Sequence, residues 1–183
     1  MIELTPEAQA KLAERLRTPP EETPGLQVRR LFESGDQLVR FYLYTDVVEE
    51  LAFASRYDGR YCAAVLTGGY GVGPERGFIE VTGFADLEYI DSLDELYSVL
   101  RPACDAVIRK ADPAGDVVVG MFVGAPGSEA RLDEEMARAH LTLFNVPFQP
   151  VLVLDPDSRS LALCSRGPRS TFFDAAFSVV SAA

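Results

Sequence analysis

Val117-Val118-Val119-Gly120-Met121-Phe122-Val123 is an apolar run with no charged or polar side chain in it. Even extended to Pro126 it falls below the ~18 residues that a membrane-spanning helix needs. It therefore predicts a strand buried on both faces near the middle of a sheet. Such a strand requires a neighbour on each side and an apolar layer above and below. The rest of the chain offers those layers. Ser92-Leu93-Asp94-Glu95 has the form of a capping box, and Leu93, Leu96, Leu100, Val107 and Ile108 follow at helical spacing, with Pro102 expected to kink or divide the helix. Asp46 and Glu49 repeat the capping pattern ahead of Val47, Val48, Leu51 and Ala54, in a helix expected to end near Tyr57-Asp58-Gly59. Ser128 is placed to cap a third helix, with Glu129 near its positive end and Leu132, Met136, Ala139 and Leu143 on its inner face.

Further strands are expected over 61–67, 78–87, 151–154 and 161–164, the last two joined by a turn containing Pro156. Leu26 to Phe32 and Gln37 to Tyr44, on either side of Glu33-Ser34-Gly35-Asp36, read as a hairpin, and Phe172, Phe173 and Phe177 as a packed-back terminal helix. Ahead of them Thr5-Pro6-Glu7 opens a short helix, and the prolines between Thr18 and Gly25 break it off. The reading is an α/β (α+β) domain over 26–183, with a mixed, mostly antiparallel sheet flanked by helices, preceded by a helical arm and proline-rich linker over 1–25.

Charge and composition remove whole classes of function. The 28 acidic and 17 basic residues give a formal net charge of -11, which repels phosphate backbones and anionic lipid and argues against nucleic-acid or membrane partners. A single histidine, His140, cannot build the multi-histidine centres of most zinc and iron enzymes, so no metal or other cofactor is expected. Cys62, Cys104 and Cys164 are odd in number and widely spaced, the pattern of buried thiols in a reducing compartment. Met1 to Leu12 lacks the form of a secretory signal, and a cytoplasmic protein is expected. The glycines from Gly68 to Gly77 do not lead into a helix and no Gly-Lys-Ser/Thr follows, which favours a long hairpin connection over a phosphate loop. His140 reads as a hydrogen-bonded or surface side chain, and Asp133, Glu134 and Glu135 as a solvated helix face.

From Gly120 onward the chain resembles the JAMM metalloproteases, or MPN domains. Gly120-Met121-Phe122-Val123-Gly124-Ala125-Pro126-Gly127 is similar to that family's Gly-Trp-Tyr-His-Ser-His-Pro-Gly, and Val151-Leu152-Val153-Leu154-Asp155-Pro156 to its later strand ending in Asp-Pro. Ala64-Val65-Leu66-Thr67-Gly68 resembles its Gly-Leu-Leu-x-Gly strand, so that the resemblance extends from about Asp46 to Arg166. It implies an MPN-like, cytidine-deaminase-like sheet. In the resembled family two histidines and an aspartate hold zinc, and a glutamate on an earlier strand is the general base. Alignment on Pro126 places Val123 and Ala125 at the histidines, Asp133 at the family's serine and Met136 at its aspartate, with Tyr61 near the glutamate.

Valine and alanine have no lone pair to offer a metal, and a thioether is a poor ligand for zinc. Without the metal, nothing brings the pKa of water toward neutrality. The resemblance thus implies a pseudoenzyme with no catalytic or metal-ligating residue, its former cleft marked by Tyr61, Val123, Ala125, Asp133 and Met136. Its expected work is as an interaction or scaffold module, a homodimer or a heterodimer with another MPN-like protein. The alternative is a hydrolase or small-ligand binder that reuses the cleft without zinc.

Overall fold

The computed structural model describes residues 39–57, 59–72, 76–110, 115–167 and 171–181. In chain order the elements are β1 (Val39–Tyr44), α1 (Thr45–Ala54), β2 (Tyr61–Val72), β3 (Gly77–Ile90), a 3-10 turn (Leu93–Glu95), α2 (Leu96–Lys110), β4 (Val117–Gly124), α3 (Glu134–Leu143), β5 (Pro150–Asp155), β6 (Ser160–Arg166), β7 (Phe172–Asp174) and β8 (Ser178–Val180). The expected arm and linker over 1–25 and the strand over 26–32 lie outside the described residues.

The eight strands form one sheet in the order β7-β6-β5-β4-β2-β3-β1-β8. The apolar run is β4, inside the sheet between β2 and β5, as its composition requires. Pairing is antiparallel for β2 with β3 and β4 and for β6 with β5 and β7. It is parallel for β1 with β3 and β8 and for β4 with β5. The class is a mixed α+β fold.

The sheet cannot be flat. Its outer strands β7 and β8 are separated in the chain by Ala175, Ala176 and Phe177, a link that reaches at most about 14 Å between Asp174 and Ser178. Seven flat inter-strand spacings would need about 34 Å. The sheet therefore curls until its two edges approach. Ala175 and Phe177 pack with Phe41, Leu43, Leu66, Ile79, Phe122 and Leu152, and with Val47 and Leu51 of α1, so this is the concave side. On the convex side α2 lies across β2, β3 and β4, and α3 packs on α2 and the 3-10 turn. Each large side chain fully buried in these layers contributes about 1.5–3 kcal/mol of hydrophobic stabilisation before entropy is counted.

Several local expectations are corrected. The segment expected to form a hairpin with β1 lies outside the described residues; β1 itself is flanked by β3 and β8 over Tyr42 and Leu43. Helix α1 has Tyr44 as its N-cap with no side-chain cap bond, because β1 runs directly into it; Asp46 sits in its first turn instead, and the helix stops at Ala54. Pro102 does not divide α2, which runs unbroken through it. The carbonyl it deprives of a donor is that of Ser98, an exposed residue whose carbonyl can turn to water. The capping box of Ser92 and Glu95 is present, but it opens the 3-10 turn ahead of α2, and Ile108 is 64% exposed while Ala103 and Cys104 take the inner face. The glycine-rich stretch is mostly strand, because a side chain at Gly68 would run into the Glu80 carbonyl where the β2–β3 register shifts. The C-terminal aromatics form β7 and lead to β8, with no helix, since the sheet edges they cover offer hydrogen bonds a helix would leave unmade. No helix among the described residues is long and apolar enough to cross a membrane.

Candidate functional site

The site the sequence singles out lies where β4 ends on the convex face. Val123 stands between Ala63 of β2 and Val153 of β5, and Gly124 between Cys62 and Leu154. Ala125 continues the strand direction for one residue by donating its N–H to the Leu154 carbonyl at 2.8 Å. Gly124 is there because nothing larger fits: a Cβ on it would come within 2.5 Å of Cys62 Sγ and 2.6 Å of Ser55 Oγ.

The chain then turns through Pro126 to Arg131, anchored from below by one carboxylate. Asp155, 1% exposed at the end of β5, accepts hydrogen bonds from the N–H groups of Gly127 (3.1 Å), Glu129 (2.8 Å) and Asp157 (2.9 Å) and from Ser158 Oγ (2.9 Å). Burial alone would raise the Asp155 pKa, but the donors of Asp157, Glu129, Ser158 and Gly127 outweigh it and hold the carboxyl below its ordinary value. Glu129 and Ala130 both adopt φ of +54°, outside the helical region. That is why Ser128 does not cap the helix. Its hydroxyl donates to the Ala125 carbonyl at 2.7 Å and accepts from the Ala130 N–H at 3.2 Å, stabilising the turn. Glu129 belongs to the turn as well, so it too misses the first turn of α3. The cap is Asp133, whose carboxylate accepts from the Glu135 N–H at 2.8 Å.

Four of the five marked positions come together. Val123, Ala125 and Met136, exposed by 0%, 1% and 0%, share one apolar cluster with Ala63, Ala130 and Val153, and Tyr61 packs against it half-buried. Asp133 is exposed at the margin, its carboxylate engaged as the cap. The cluster presents methyl groups, a thioether and one phenol, which is a packing surface and not a donor set. Among the described residues no three His, Cys, Asp or Glu side chains are grouped to hold a metal ion.

His140, one turn beyond Met136, is fully buried, and its Nε2 donates to the Gln149 carbonyl at 2.9 Å. It is stacked on Phe144 and meets Phe172 edge-on. Burial pushes its pKa down to about 4, with the Arg166 cation adding to the effect against the Gln149 bond, so the ring is neutral at pH 7. The thiols are equally muted: burial raises Cys62, Cys104 to about 11 and Cys164 to about 12. Cys164, which also donates to Asp174 at 3.4 Å, lines a groove of about 680 Å³ together with Glu129, Arg131, Leu161, Phe172 and Phe177.

Two residues that organise this region carry no role in the sequence reading. Asp155 was quoted only as part of a strand-ending pattern, although an Asp followed by Pro-Asp-Ser is a recognisable acceptor for its own turn. Ser55, whose hydroxyl donates to the Leu51 carbonyl at 2.7 Å and touches Cys62 Sγ, gives no sequence cue, because only the fold brings it under Gly124.

No protein-family model and no curated protein matches the chain. Among solved structures, that of protein DSY2949 from Desulfitobacterium hafniense is similar, with a TM-score of 0.50 and 17% identity, covering 78% of this chain and 94% of that one. At that identity the likeness concerns the fold.

Proposed function

We propose that this chain is a catalytically inactive MPN-like domain that works in the cytoplasm through protein contacts, as a homodimer or paired with another MPN-like protein. The observation that carries the reading is the gathering of Val123, Ala125, Met136 and Tyr61 into one apolar cluster at the end of β4. These positions, marked by alignment with a metal-binding motif, share the core cluster that also holds Leu100 and Cys104 of α2 and Ala139 of α3. Their side chains exclude water from the place where a metal and its bound hydroxide would stand, and stabilise the frame instead. Supporting it, the loop that separates the two halves of the motif is held by the Asp of the Asp-Pro pattern. A scaffold role follows from a site that retains shape and offers no nucleophile.

The purified protein should contain no stoichiometric zinc and scatter light as a dimer. Stoichiometric zinc would overturn the inactive reading, and a monomer would overturn the pairing. The register itself can be tested by combining Val123→His, Ala125→His and Met136→Asp. That variant should bind zinc, and a folded variant that does not would remove the family reading. The groove of about 680 Å³ beside the loop favours a second reading, in which the domain binds a small ligand or hydrolyses it without zinc.

A further inference from the structure

We propose that His140 is an acid-sensitive pin holding the edge strand β7 on the sheet, and that protonating it releases β7 and opens the groove. Beyond the reading above, this needs nothing from the family resemblance.

β7 is a short edge strand. Its three residues pair with Cys164, Ser165 and Arg166 of β6, the ladder continues with the Ala175 N–H donating to the Leu163 carbonyl at 2.8 Å, and no strand among the described residues flanks its outer edge. Phe172, the least exposed residue of β7, adds to that ladder by resting edge-on against the imidazole at a centroid distance of 5.2 Å. The imidazole in turn is fixed by Phe144 at 4.9 Å and by its bond to Gln149. One ring thus joins α3, the connection before β5, and β7.

That ring can accept a proton only by breaking the arrangement. Nδ1 is buried with no hydrogen-bond partner among the described residues, so an added N–H would have no acceptor. The charges on the surrounding elements do not help. From β6 the Arg166 guanidinium, which donates to the Phe144 carbonyl at 2.9 Å, adds a like charge, while Cys164 is a neutral thiol turned to Asp174. From β7, Asp174 is occupied by that thiol, and on α3 itself Glu135 is paired with Arg138. The connection before β5 offers a neutral carbonyl already in use.

The sign follows from linkage. A histidine whose pKa is about 4 when pinned and near its ordinary 6.5 when released binds more protons in the released state, so lower pH favours release. Above pH 6.5 there is no effect. Between 6.5 and 4 the released-to-pinned ratio rises about tenfold per pH unit, about 300-fold in all. When β7 leaves, the groove loses the wall formed by Phe172 to Asp174.

Because His140 is the only histidine in the chain, the test is unambiguous. Amide hydrogen exchange, corrected for intrinsic rates, should show protection of Phe172, Phe173, Asp174 and Ala175 falling about tenfold per unit from pH 6.5 while β2 and β4 stay unchanged. In His140→Phe, which keeps a ring and cannot titrate, β7 protection should not vary with pH. Flat wild-type protection, a parallel fall in β2 and β4, or the same fall in the phenylalanine variant would each overturn the proposal. Should that variant not fold, the imidazole's own NMR titration in the wild type decides: a midpoint near 6.5 with β7 still protected sinks it.

Discussion

The turn from Pro126 to Leu132 and the strand β7 line the same groove, and each is a short segment set against one buried ionisable side chain. The turn hangs on Asp155, a charged acceptor with four donors converging on it. β7 leans on His140, a neutral ring with one hydrogen bond and a buried nitrogen without one. A carboxylate lowered in pKa by its donors stabilises the fold at every pH above its unfolded value of 3.8 and loses that contribution as pH falls through the lowered one. An imidazole lowered by burial acts in the same direction over a higher window, becoming a liability as pH drops from 6.5 toward 4. The comparison teaches that similar local packing can respond to acid at different pH according to whether hydrogen bonds or desolvation dominate.

The largest effect is expected at the Asp155 anchor. Asp155→Ala removes four bonds, two to this turn and two within the β5–β6 turn, and leaves three backbone N–H groups to find water; a loss of about 3–4 kcal/mol is expected in denaturant unfolding. A loss below 1 kcal/mol would show that the carboxylate does not hold the turn. Gly124→Ala attacks the strand end from beneath, forcing a methyl toward Cys62 Sγ and Ser55 Oγ, and should cost about 1–3 kcal/mol. Adding Cys62→Ala to that variant should recover part of the loss, measured as a double-mutant cycle. Acid titration sharpens the contrast directly: the turn's amides at Gly127 and Glu129 should keep their protection through the pH range in which β7 loses it, and yield only below about pH 4. Last, Glu129→Gly relieves a positive φ at an exposed side chain and should stabilise by about 0.5–1 kcal/mol, after the entropy of glycine is set against the relieved strain.

Much of this was legible in the residues. The run Val117 to Val123 announced an interior strand because neither face could meet water, and β4 is that strand. Ser92 and Glu95 announced a helix start because their two side chains satisfy backbone donors reciprocally. The family resemblance, aligned on Pro126, marked Val123, Ala125 and Met136, and these share one cluster. The misses have a common cause. Ser128 looks like a cap and Asp133 is one, because the choice depended on the left-handed Glu129 and Ala130 between them, and those conformations follow from bonds to Asp155, far along the chain. Phe172 to Phe177 read as helical because their apolar spacing suits a helix; the edges of β6 and β1, which they serve, are made elsewhere.

The alternation of strands and helices, the burial of β4 and the presence of a single histidine are readable in the residues alone, since they depend on local periodicity and on which atoms a side chain carries. Tertiary structure alone decided that the sheet curls, that one carboxylate holds the turn after β4, and that the single histidine is a buried ring beneath an edge strand. Those outcomes rest on contacts between residues that are distant in the chain, and desolvation of an ionisable group exists only once the surrounding layers have closed over it.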